Sequence, residues 1–192
     1  MQLRMLFDFE RTPVPEIKLS GEFEIRSVAA NEVHEWGTVL HPACGFSVKD
    51  DEYMKIYSPK VLPGGMLAVF EKSSGRMVAS ATAQYHEVDI EGGLGWVMVL
   101  PEMRGKKLGA AISTAAMKKS RDFGHKKMCL CTDDSRLAAL KMYLQLGWRP
   151  FLFAEDMFDR WRKVCENLGI APELLEDYSL GENEEIIVQY SL

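Results

Sequence analysis

The sequence predicts a mixed α/β fold, a sheet layered with helices. Two observations carry that reading. Short runs rich in β-branched and aromatic residues alternate with segments whose apolar residues recur at helical spacing. Their order is strands, then strand–helix–strand–helix–strand, then helix and strand. The 192 residues suit one domain, 1–192, able to bury a sizeable core without staples.

The elements follow in order. Residues 1–20 read as peripheral: Leu3 to Phe9 could pair as an edge strand, and Pro13 and Pro15 then interrupt regular structure. Glu22 to Val28 alternates loosely and forms a first strand of the domain. Asn31 is placed to cap a helix running to about Leu40, with Val33, Trp36 and Leu40 on one stripe. Asp50 to Tyr57 forms a second short helix with Tyr53, Ile56 and Tyr57 on its apolar side. His34 and His41 read as surface or capping residues. Met66 to Glu71 and Met77 to Val88 are strands joined by the loop Lys72-Ser73-Ser74-Gly75-Arg76. Gly92, Gly93 and Gly95 read as a turn or bulge before a central strand, Trp96 to Leu100.

A helix from about Lys107 to Phe123 has a small-residue face of Leu108, Ala111, Ile112 and Ala115. Gly124 is placed as its C-cap. Lys127 to Thr132 is a strand, and Asp133 or Asp134 is placed to cap a helix from Ser135 to about Leu146 with Leu137, Leu140 and Leu144 as its stripe. Trp148 to Phe153 is a strand. Asp156 to Leu168 is a helix with Phe158, Trp161, Val164, Cys165 and Leu168 on one face. Pro172 to Tyr178 suggests a helical turn, and Glu185 to Tyr190 a closing strand.

Composition narrows the function. A net charge of −5 argues against a general nucleic-acid binder, so the basic cluster near Lys106 is local. Cys44, Cys129, Cys131 and Cys165 have no CxxC pair or Cys/His spacing suited to zinc, so no metal is expected. Cys129 and Cys131 share one strand face, and the thiols are expected buried and reduced, which fits a cytoplasmic setting. Neither a signal peptide nor an apolar run of about 18 residues is present, so no membrane association is expected. Gly93-Leu94-Gly95 precedes a strand and does not join strand to helix, which argues against a dinucleotide fingerprint. No GxxxxGK[ST] loop supports another nucleotide binder.

The stretch WVMVLPEMRGKKLGAA, Trp96 to Ala111, is the organising one. A strand runs into a basic, glycine-containing loop and then into a helix. A helix N-terminus offers unpaired N–H groups and a positive dipole end, which suit a phosphate. Arg104-Gly105-Lys106-Lys107-Leu108-Gly109 resembles the pyrophosphate loop of the GNAT superfamily of acyl-CoA-dependent N-acyltransferases, Gln/Arg-x-x-Gly-x-Gly/Ala. Arg104 and Gly109 match, and Lys107 stands where the pattern has its first glycine. A second block, Thr132 to Trp148, is similar to another motif of that family in the spacing of Ala139, Tyr143, Leu146, Gly147 and Trp148. The resemblance covers roughly residues 66–153, and the flanks only by element order.

The resemblance implies a GNAT-like fold: a mixed, mostly antiparallel central sheet with helices on both faces. A C-terminal helical insertion, 155–181, would precede the last strand. It implies transfer of an acetyl group from acetyl-CoA to a primary amine by direct attack on the thioester. Arg104, Gly105, Lys106, Lys107, Leu108, Gly109 and Ala110 would hold the cofactor's diphosphate, and the backbone of Val97, Met98 and Val99 its pantetheine arm. Tyr143 would serve the leaving thiolate as a general acid. Two family positions differ: Arg136 stands where many members carry Asn, and Cys131 where some carry a catalytic Glu. The base therefore stays open among His86, Glu87, Asp89, Glu91 and water. Trp36, Tyr53, Tyr57, Tyr85, His86 and Glu87 fall where the family walls its acceptor. The expected partner is a small-molecule or peptide amine, and a homodimer is one assembly left open. A non-catalytic acyl-CoA-binding or regulatory module is the competing reading.

Overall fold

A computed structural model describes residues 1–86 and 91–171. In chain order its elements are β1 (Leu3–Asp8), β2 (Phe23–Ser27), a broken helical stretch over residues 30–43, α1 (Asp51–Tyr57), β3 (Val61–Glu71), β4 (Met77–Tyr85) and β5 (Glu91–Val99). Then come α2 (Leu108–Phe123), β6 (Lys127–Thr132), α3 (Leu137–Gln145), β7 (Arg149–Phe151) and α4 (Met157–Leu168). The mixed α/β class and its mostly antiparallel pairing are as expected. The helical turn over 172–178 and the closing strand over 185–190 lie outside the described residues.

The described residues form two compact units, one within Asp8–Met128 and one of Met1–Phe7 with those from Cys129 to 171. In the larger unit, β2, β3, β4 and β5 follow one another as an antiparallel meander. β4 is buried on both faces from Met77 to Ala83, and small residues there allow it. Ala79, Ala81 and Ala83 leave room for α2, whose Ala111, Ile112, Ala116 and Met117 are buried. Gly124 ends α2 at φ 112°, in the left-handed region expected of a C-cap.

The first helix differs from expectation. A 3-10 turn (Ala30–Glu32), a short α turn, a π turn (Trp36–Leu40) and a last α turn (His41–Ala43) replace one helix. Asn31 does not cap it. Glu32 turns back instead, accepting from the Ala29 N–H at 2.8 Å and from both guanidinium NH groups of Arg26 at 2.7 Å. The Arg26 hydrogen bond and then the Ala29 N–H hold the Glu32 carboxyl at about 2. Asp50 caps α1 as expected, accepting from the Tyr53 N–H at 2.9 Å. Ile56, however, is 69% exposed and not on the apolar side.

In the smaller unit the strand order is β6-β1-β7, with β1 and β7 antiparallel. β1 is therefore neither peripheral nor an edge strand: it has a neighbour on each side, and Leu3, Met5 and Phe7 are fully buried. Their spacing of two is the reason, since it turns all three to one face. α4 buries Met157, Trp161, Val164 and Cys165, spaced for one helix face. Burying each large side chain is worth about 1.5–3 kcal/mol. Phe158 falls off that face and is exposed, with the Arg162 guanidinium over its ring at 5.0 Å. Neither aspartate caps α3. Asp134 instead accepts from Arg160 of α4 at 2.9 and 2.5 Å, and Arg160 also donates to the Met1 carbonyl at 3.0 Å. The cysteine expectation needs correction as well: Cys129 and Cys165 are buried, Cys44 is half-buried and Cys131 is exposed.

Candidate active site

The site begins with a defect in β5. Ser80 of β4 faces Met98, but Thr82 faces Gly95, so Trp96 and Val97 together oppose one residue of β4. This is a β-bulge. Trp96 takes φ 47°, a left-handed conformation unusual for a bulky residue. The Ser80 hydroxyl donates to the Trp96 carbonyl at 3.0 Å and helps hold it. The glycines expected as a turn or bulge before the strand lie inside it and run up to the bulge. A Cβ at Gly93 would come within 2.8 Å of the Gln84 side chain, and one at Gly95 within 2.7 Å. The two glycines thus make room for Gln84, which accepts from the Tyr57 hydroxyl at 3.0 Å. Past the bulge, Val97 and Val99 are half-buried and Met98 is buried.

The strand leads through a 3-10 turn (Pro101–Met103) into the basic loop. Gly105 has φ 83° and Lys107 has φ 60°, ψ 13°. The first intrahelical bond runs from the Ala111 N–H to the Lys107 carbonyl at 3.0 Å. Residues 107–110 therefore precede the N–H groups that the helix itself satisfies, and no side chain caps them. Arg104, Gly105, Lys106 and Lys107 are exposed. Glu102, just before the loop, is paired: it accepts from Arg76 at 2.5 Å. Backbone N–H groups at an uncapped helix start, beside exposed Arg104, Lys106 and Lys107, fit a diphosphate.

The departure from the glycine pattern is physical as well as textual, since Lys107 occupies a left-handed position that glycine would occupy without a Cβ clash. Lys107→Gly is therefore expected to stabilise the fold by about 1 kcal/mol, read as a higher urea midpoint. A lower midpoint would show that the lysine makes a compensating contact.

Beside the bulge stands an aromatic cluster that the sequence only half signalled. Trp96 meets His41 at 4.4 Å, Phe46 at 5.5 Å, Tyr53 at 6.3 Å and Tyr57 at 6.2 Å between ring centres. Tyr53 and Tyr57, one α-turn apart, stack at 5.5 Å, and Trp36 stacks on Tyr57 at 6.0 Å. His41 is fully buried, not a surface residue. Its Nδ1 lies 2.9 Å from the Trp36 carbonyl, an arrangement in which Nδ1–H donates. Its Nε2 then carries a lone pair with no partner among the described residues. Burial first, and the nearby Lys49 charge also, push its pKa down, while the Trp36 carbonyl opposes them. The ring is neutral at pH 7.

Tyr143 lies on α3 in the smaller unit, buried, its ring 6.1 Å edge-on from Trp148. Burial pushes its hydroxyl pKa up. Tyr85 of the expected acceptor wall is instead exposed and packs on Phe123 at 5.5 Å. His86 is half-buried just past β4. Glu87 and Asp89 lie outside the described residues, as does the side chain of Glu91. Sequence reasoning missed His41, Phe46, Lys49 and the Trp96 side chain. The Tyr53/Tyr57 spacing next to a buried Trp36 was the one available signal.

A model of the Acetyltransferase (GNAT) family matches residues 28–148. The fold is similar to a GCN5-related N-acetyltransferase from Sphaerobacter thermophilus, with TM-score 0.65 and 19% identity over 78% of this chain and 48% of that one. It is similar to glucosamine-6-phosphate N-acetyltransferase from Arabidopsis thaliana, with TM-score 0.52 and 18% identity over 65% and 90% of the two chains. It is also similar to N-acetylglutamate synthase from Neisseria gonorrhoeae, complexed with coenzyme A and N-acetyl-glutamate, with TM-score 0.50 and 13% identity over 66% and 28%. The chain spans 48% of the first of these relatives. No curated protein sequence matches it.

Proposed function

We propose, for a chain that belongs to the GNAT family of acetyltransferases, that it moves the acetyl group of acetyl-CoA to a primary amine. The observation that carries this reading is the uncapped N-terminus of α2, entered through left-handed Gly105 and Lys107 after a bulged strand and one 3-10 turn. Arg104 and the backbone N–H groups through Ala110 hold the diphosphate. The backbone of Val97, Met98 and Val99 pairs with the pantetheine arm, and an N–H there steadies the carbonyl oxygen as it gains charge.

Acetyl-CoA supplies an activated acyl group with a good leaving thiolate. The residues of the chain align it, and Tyr143 gives a proton to that thiolate. A buried phenol stays protonated at neutral pH, which suits a donor. The acceptor is a small-molecule or peptide amine. The solved relatives named for glucosamine-6-phosphate and N-acetyl-glutamate are consistent with a small polar amine. The aromatic faces beside Trp96 suit a cationic group. No helix among the described residues is long and apolar enough to cross a membrane, and we place the enzyme in the cytoplasm.

The test is thiol release from acetyl-CoA across a panel of primary amines. Amine-dependent release supports transfer. Tight acetyl-CoA binding with no release for any amine would favour a non-catalytic acyl-CoA-binding module.

A further inference from the structure

Lys49 precedes α1, and its backbone is pinned to the π turn. Its N–H donates to the Gly37 carbonyl at 3.0 Å. Its own carbonyl oxygen lies so close that a Cβ at position 37 would come within clashing distance, 2.4 Å, of it. Only glycine at 37 lets residue 49 seat there.

From that anchor the half-buried side chain carries its ammonium to 4.5 Å from the Tyr53 ring centre and 5.4 Å from that of Trp96. Both are within cation–π range. Among the described residues no carboxylate pairs with it. The adjacent acids are engaged elsewhere, Asp50 in capping α1 and Asp51 beside His34 at 3.5 Å. Lys55, on the same helix, pairs with Glu52 at 2.7 Å, and Lys106 lies over Phe23 and Met103. Lys49 thus brings a primary amine to the ring of the bulge residue, and that residue immediately precedes the strand assigned above to the pantetheine arm.

We propose that Lys49 is an internal acetyl acceptor, a self-modification site of this protein. The proposal rests on the acetyl-transfer reading. The ammonium first loses a proton to water. The neutral nitrogen attacks the thioester carbon, the N–C bond forms, and the C–S bond breaks with its electron pair going to sulfur. The nitrogen sheds a second proton as the amide forms, and the thiolate gains one. One lysine ammonium and one acetyl-CoA give one acetyl-lysine, one CoA thiol and one proton. The acetylated side chain is neutral, so it no longer draws on the aromatic faces as a cation, and the cluster is left to an external amine.

The experiment incubates the full chain with acetyl-CoA alone and follows each lysine by peptide mass mapping at several protein concentrations. Lys49 should gain one acetyl group at least tenfold faster than Lys55 or Lys60. Its first-order rate should not depend on protein concentration, as an intramolecular step requires. Tyr53→Leu should slow that mark at least tenfold and leave the background at Lys55 unchanged. Equal rates at Lys49 and Lys55, or a Lys49 rate that scales with protein concentration, would overturn the proposal. Acetylation of an external amine without any mark at Lys49 would also overturn it while leaving the acetyl-transfer reading standing. Failure of both would remove that reading as well.

Discussion

Tyr143→Phe is expected to lower turnover by about 10²–10⁴-fold, the usual contribution of a positioned general acid, with affinity for acetyl-CoA nearly unchanged. The change removes one oxygen and keeps the ring that packs against Trp148. In the proposed role the hydroxyl acts on the thiolate only as it leaves, so its loss would fall on turnover and not on ground-state binding. The measurement is steady-state kinetics with an acceptor found in the amine panel, under conditions where chemistry limits the rate. Wild-type turnover across pH would make Tyr143 a packing residue and leave water as the proton source.

The second large effect is expected at the loop. Gly109→Val should weaken acetyl-CoA binding by more than tenfold, about 1.5 kcal/mol or more, comparable with one charge-assisted hydrogen bond. Gly109 is the second residue of α2, ahead of the first helical hydrogen bond. A branched side chain there stands in the way of a diphosphate approaching the backbone. Valine is no worse than glycine for the helix itself, so thermal unfolding should be little changed. Calorimetry gives the affinity, and an unchanged value with the fold intact would move the diphosphate elsewhere.

What the sequence made legible was mostly local. β6 falls on the expected residues, Lys127–Thr132, and α2 starts and stops within a residue of its expected ends. The Asp50 cap and the Gly124 C-cap are one-turn effects, readable from neighbours in the chain. The loop was legible as a backbone path, a strand ending at a proline and leading into the start of α2.

The failures involve distant partners. Asp134 was free to cap α3 until Arg160, 26 residues on, took it. The broken helix over 30–43 depends on Glu32 folding back to Arg26 and on Gly37 receiving Lys49. The left-handed Trp96 follows from a register shift against β4, and no propensity of tryptophan announces it. Cys129 and Cys131 share a strand face by parity, yet what covers each differs, and parity says nothing of cover. The His41 pocket is the plainest case. A histidine beside Pro42 reads as surface, and only the convergence of Trp36, Phe46 and Trp96 buries it.

The proposed activity is transfer of acetyl groups to amines. The most direct measurement uses acetyl-CoA carrying an isotopic label in its acetyl group, with mass analysis of an accepted amine after reaction. The label is expected on the amine nitrogen, one acetyl per thiol released, at a rate proportional to enzyme and sharply reduced in Gly109→Val. Thiol release with the label appearing as free acetate, equal with and without amine, would contradict it.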